Sequence, residues 1–232
     1  MPNGVTRKHY RENLENLKSD VLDMGLAAKS AITASLETFE LFDDQKAKKL
    51  NKDYSKYQFS DAETNIEKDC ILLVATQAPV SSDLRLIESS FKIVTEFKRI
   101  GNTARRMNRL TIKLSDFELN FPELLQYVRK TVGIVIKMLD QVLSIFSSLN
   151  KDEAENLKTL GQEDDEIDEL YYQAQKTIVE ILAKHNINDE KTIKVLIDLL
   201  LVLRHLERAG DHVCNIAERI YYILAGERIM IS

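Results

Sequence analysis

"KRIGN", residues 98–102, and "ERAGD", residues 207–211, carry Arg, an apolar residue and Gly in the same order at an offset of 109. Read as one motif written twice, they decide the fold. The correspondence extends upstream: Leu17, Val21, Leu36, Phe39, Ala47 and Leu50 match, at a constant offset of 107, Leu124, Val128, Leu143, Phe146, Ala154 and Leu157. The chain reads as a duplicated unit.

Each unit reads as three helices. In the first, Leu14, Leu17, Val21, Met24, Ala28, Ile32, Leu36 and Phe39 recur at three- and four-residue steps, which places one apolar face on a helix from near Thr6 to around Phe42. A second helix runs from Asp43 or Asp44 to about Thr76 and stops before Pro79. "SSD" at 81–83 supplies capping side chains for a third, from about Asp83 to Leu114. "SDFELNFP", residues 115–122, is the one convincing break, and it divides the chain into repeats 1–116 and 117–232. Helices of about 30 residues are roughly 45 Å long, and short connections make neighbours antiparallel. The expected fold is all-α, with six long helices in two elongated three-helix bundles packed side by side.

Composition agrees. Seven Gly and three Pro in 232 residues favour long helices. A net charge of −5, with acids and bases intermixed, argues against a sequence-independent nucleic-acid binder and for a protein partner. No signal peptide is expected from "MPNGVTRKHY", and the apolar runs fall short of the roughly 20 residues of a spanning helix. Cys70 and Cys214 lack metal or CxxC spacing and read as free, buried thiols of a cytoplasmic protein.

The motif itself raises a question. Gly210 sits inside a helix, where Gly costs about 1 kcal/mol relative to Ala. Glu207 and Asp211 flank it four residues apart, so like charges share a face. Arg204 and Arg208 lie within a turn and could dissolve the repulsion in a surface ion-pair lattice. On the fifth helix, Asp164 and Asp168 repeat the spacing inside "EDDEIDE", a run that also suits a plain solvated face. If the two helices are antiparallel neighbours, the four acids converge into an all-oxygen site for iron, manganese, zinc, magnesium or calcium. Gly101 and Gly210, equivalent in the two repeats, suggest a close approach at a helix seam.

The first repeat differs. Lys98 and Asn102 stand where the second has Glu207 and Asp211, and Lys56 and Ser60 stand where it has Asp164 and Asp168. Lys98, Asn102, Arg105 and Arg109 share one helix face, a basic counterpart able to take phosphate, anionic headgroups or an acidic partner surface. A carboxylate-bridged di-metal oxidase is a competing reading, but the Glu-x-x-His pairs of such bundles are missing, and His205 and His212 lie off the acidic face. Neither a paired nucleophile and base nor a phosphate loop points to an enzyme. A purely structural helical adaptor is the third reading.

The stretches "VLDMGLAAKSAI", "QAPVSSDLRLI", "FKRIGNTARR" and "LERAGDHVCNIAERI" resemble the PhoU family over nearly the whole chain. The resemblance implies a cytoplasmic, non-enzymatic and often dimeric regulator. Such a protein acts at the inner membrane face with the ATPase of the phosphate ABC transporter and, where present, a sensor kinase, restraining uptake or signalling when phosphate suffices. It also implies that Glu207/Asp211 and Asp164/Asp168 match the family's metal motif, which holds iron or zinc.

Overall fold

The computed structural model describes residues 3–54, 56–115, 121–184 and 187–231. Six long helices carry the chain: α1 (Asn3–Leu41), α3 (Lys56–Gln77), α4 (Ser81–Leu114), α5 (Pro122–Ser148), α6 (Leu160–Lys184) and α7 (Glu190–Ala225). Two short pieces accompany them, α2 (Asp44–Asp53) and a 3-10 helix (Lys151–Thr159). No strand occurs among the described residues. The division at 116/117 falls between the end of α4 and the start of α5, in a break whose residues 116–120 lie outside the described set.

Two local expectations are corrected. The second helix is not continuous from Asp44: Asp43 caps α2 by accepting from the Lys46 amide at 2.8 Å, and α2 ends at Asp53, before its C-cap Tyr54, whose φ of −103° and ψ of 56° leave the helical region. The equivalent segment of the second repeat winds as the 3-10 helix, and α6 follows it directly. Nor does "SSD" cap α4. The N-cap is Val80, without a side-chain cap, while the Asp83 carboxylate accepts from the Tyr10 hydroxyl at 2.9 Å, tying α4 to α1.

One continuous apolar core runs through both repeats. Leu17, Val21 and Phe39 are buried in it, as are their counterparts Leu124, Val128 and Phe146. The helix α5 is by itself long and apolar enough to cross a membrane, contrary to the reading from uncharged runs. Its apolar residues are nonetheless core residues: Val128, Val132, Val135, Leu139 and Val142 are all fully buried. Cys70 and Cys214 are free and buried.

The repeats meet along α4 and α7, and side-chain contacts give the register. Arg85 reaches the Ile223 carbonyl, Glu96 meets His212, Arg106 meets His205, and Lys113 meets Asp198. As α4 advances α7 retreats, so the two helices are antiparallel. The same reasoning holds for α6 and α7: Asp164 lies against Gly210, and the Leu160 carbonyl accepts from the Cys214 thiol.

Candidate functional site: an acidic seam between α6 and α7

Antiparallel packing brings the second repeat's acids onto one seam. Asp164 and Glu207 are buried, Asp211 is half-buried and Asp168 is exposed. Burial raises the Asp164 carboxyl to about 7, with the charges of Asp211, Asp168, Glu207 and Asp165 adding to it. Glu207 is also raised, by burial first and then by Asp211 and Asp168, against the opposing pull of Arg204 and Arg208. Each of these two buried carboxyls therefore feels Asp168 and Asp211, as desolvated like charges do.

Gly210 has its reason here. A Cβ on it would lie 2.7 Å from Asp164 Oδ1 and 2.9 Å from Ile167 Cδ1. The glycine gives the Asp164 carboxylate and the Ile167 side chain their place over α7. Gly101 does equivalent steric work with different contents, since its Cβ would lie 2.5–2.8 Å from three ring atoms of Phe59. Both glycines thus serve the packing of the third helix of a repeat against the second.

The first repeat neutralises its seam internally. Lys98 makes an ion pair with Glu63, which is 9% exposed. In the second repeat Glu207 Oε1 accepts from Arg204, and Glu207 Oε2 is buried without a hydrogen bond. Asp164 has no cationic partner within ion-pair distance among the described residues. As positioned, no three His, Cys, Asp or Glu among the described residues are gathered closely enough to hold an ion. The donor set still suits a hard cation: four carboxylates, one with an unbonded buried oxygen and one whose carboxyl is raised by burial and then by the charges of the others.

The basic face expected on α4 is divided. Lys98 is committed to Glu63, and Asn102 faces a cavity between α4 and α7. Arg105 is half-buried, with its Nε unbonded, and its guanidinium is pushed down by burial and then by the charge of Arg109. His205 and His212 point away from the acids. Arg106 donates to His205 Nδ1 at 2.7 Å, and His212 Nδ1 lies 2.7 Å from Glu96 Oε2. Burial, and then the charges of Arg106 and Arg208, push the His205 imidazole down. Burial works against the Glu96 anion, but His212 and Arg99 outweigh it and hold that carboxyl below its usual range.

Comparison with known proteins agrees with this architecture. The PhoU domain model matches residues 21–111 and 128–220. The phosphate-specific transport system accessory protein PhoU of Serratia marcescens is 29% identical over 233 aligned positions, covering 99% of this chain and 91% of the relative. A PhoU homologue of Pseudomonas aeruginosa is 30% identical over 219 positions, 94% of this chain and 86% of its own. The crystal structure of PhoU from Pseudomonas aeruginosa superposes with a TM-score of 0.83 at 29% identity, covering 94% of this chain and all of that one. With both repeats matched and most of the chain covered, the protein belongs to the PhoU family.

Proposed function

We propose that the protein is a non-enzymatic, cytoplasmic accessory regulator of phosphate transport that restrains uptake or signalling when phosphate suffices. Family membership supports the transport role, as do relatives named as accessory proteins of the phosphate-specific transport system. Its partners are the ATPase of a phosphate transporter and, where present, a sensor kinase, met at the inner membrane face by a homodimer.

The observation that carries the site reading is the buried, under-neutralised acid pair Asp164 and Glu207 on antiparallel helices, with Asp168 and Asp211 adding to its field. In this reading the four carboxylates would hold iron or zinc, with Glu207, which now accepts from Arg204, among them. A cation held there would supply positive charge that neutralises the seam. Asp164 and Glu207 contribute from inside the seam and Asp168 and Asp211 from its rim.

Affinity capture from phosphate-replete cells tests the regulatory reading. The full chain is expected to retain the transporter ATPase, and deletion of the gene to raise phosphate uptake. Absence of the ATPase from the captured material, together with unchanged uptake, would contradict it.

A further inference from the structure

A second polar site lies on the face of α7 turned toward α4, beside the one that carries the acids. A cavity of about 140 Å³ opens between α4 and α7, walled by Arg99, Asn102, Thr103 and Arg106 from one helix and His205, Arg208 and His212 from the other. All seven residues are polar. Three guanidinium groups meet there, and the neighbouring acid is Glu96, already shared between Arg99 and His212. Arg106 is bonded to a neutral acceptor, His205 Nδ1, which leaves its charge uncompensated. Neither Arg208 nor Asn102 makes a hydrogen bond or ion pair with another described residue.

Symmetry explains the concentration of positive charge. At the offset of 109, Arg99 is equivalent to Arg208, Glu96 to His205 and Thr103 to His212. The Glu96–His212 contact therefore maps onto Thr103–His205, and the latter is present, the Thr103 hydroxyl donating to the His205 carbonyl at 3.4 Å. Contacts that map onto each other in this way place the two repeats about a local twofold axis. An axis of this kind doubles whatever lies on it. In the antiparallel register Arg99 and Arg208 face each other across it. Two facing guanidinium groups repel unless an anion lies between them.

We propose that this cavity binds a small tetrahedral oxyanion, orthophosphate or the phosphoryl group of a monoester. Guanidinium forks match the spacing of phosphoryl oxygens and bind them in charge-assisted pairs. The Asn102 amide adds a neutral hydrogen-bond donor. At about 140 Å³ the space is well below the roughly 300 Å³ at which pockets for larger organic ligands begin. The cavity is lined by none of the four seam acids, and the proposal does not depend on the reading given to them.

Calorimetric titration of the chelator-treated full chain with sodium phosphate provides the test. Saturable binding is expected, weakening as salt rises. Arg106→Ala and Arg208→Ala, both at exposed positions, are each expected to weaken it about tenfold or more. Asn102→Asp, which restores the acid found at the equivalent position of the second repeat, is expected to abolish it with helical content unchanged. Asp164→Asn, in the acidic seam, is expected to bind phosphate like the parent. Glycerol 3-phosphate as a second titrant separates the sources: equal binding assigns a phosphoryl headgroup, and binding of orthophosphate alone assigns the free ion. The proposal is overturned by a parent that shows no saturable binding, by arginine variants that bind as the parent does, or by loss of binding in the acidic-seam variant.

Discussion

Asp164 is the residue on which the chemistry of the seam turns, because its carboxyl is raised from 3.8 to about 7. Between those values the folded chain holds a proton that the unfolded chain releases. The resulting stability is fully present below about pH 4 and is lost as pH rises toward about pH 7. For metal-free protein the loss approaches about 1.4 kcal/mol per pH unit where one proton separates the states. Denaturant titrations in chelator at several pH values are expected to show this fall in the parent and a flatter profile in Asp164→Asn. That variant is expected to be the more stable of the two above neutrality, because it removes a buried charge that lacks a partner. A parent and variant with parallel profiles would remove Asp164 from the account. Gly210→Ala isolates the same carboxylate sterically: the helix gains about 1 kcal/mol, but the new Cβ displaces the ends of Asp164 and Ile167. Stability within about 1 kcal/mol of the parent is therefore expected, alongside reduced metal retention. Gly210→Leu, which exceeds the available space, is expected to cost about 1–3 kcal/mol.

At the scale of elements, the two repeats use the same backbone notch for different contents. Phe59, 2% exposed, fills the notch over Gly101, and a buried aromatic ring swings aside less easily than the end of a carboxylate side chain. Gly101→Ala is accordingly expected to cost more than Gly210→Ala, by about 1–3 kcal/mol, measured by chemical denaturation; equal stability of the two would contradict the packing described. The helices were legible because apolar periodicity is local: every third or fourth residue from Leu14 to Phe39 announces a buried face. The equivalence of Gly101 and Gly210 was legible for the same reason. The break at Tyr54 was not, because "NKDYSK" contains neither Gly nor Pro to interrupt the helical period. The start of α4 misled because the helix begins before the residues expected to cap it, with Val80 as N-cap, and Asp83 inside the first turn is bonded by Tyr10, 73 residues away.

Across the whole molecule, a single core joins the repeats through α4 and α7, so the sequence duplication does not produce two separate cores. Calorimetric unfolding is expected to show one cooperative transition, and two resolved transitions would mean that the repeats fold apart. That the two acid pairs lie along the seam of antiparallel helices could be anticipated from their i,i+4 spacing, although no three of the acids among the described residues gather closely enough to hold an ion. The basic cavity could not, because Arg99 and Arg208 face each other only through the register of α4 on α7, which no local pattern encodes. That both occupy the same repeat position was visible in "KRIGN" and "ERAGD", but its consequence depends on the twofold axis. Charge separates the two halves of the molecule: the first repeat closes its seam with Lys98 and Glu63, and the second leaves Asp164 without a cation. The most direct test of a metal-holding second repeat is elemental analysis of protein purified without chelator, comparing the parent with the double variant Glu207→Ala, Asp211→Ala. Stoichiometric iron or zinc in the parent, lost from the double variant, is predicted; a metal-free parent, or equal metal in both proteins, would contradict it.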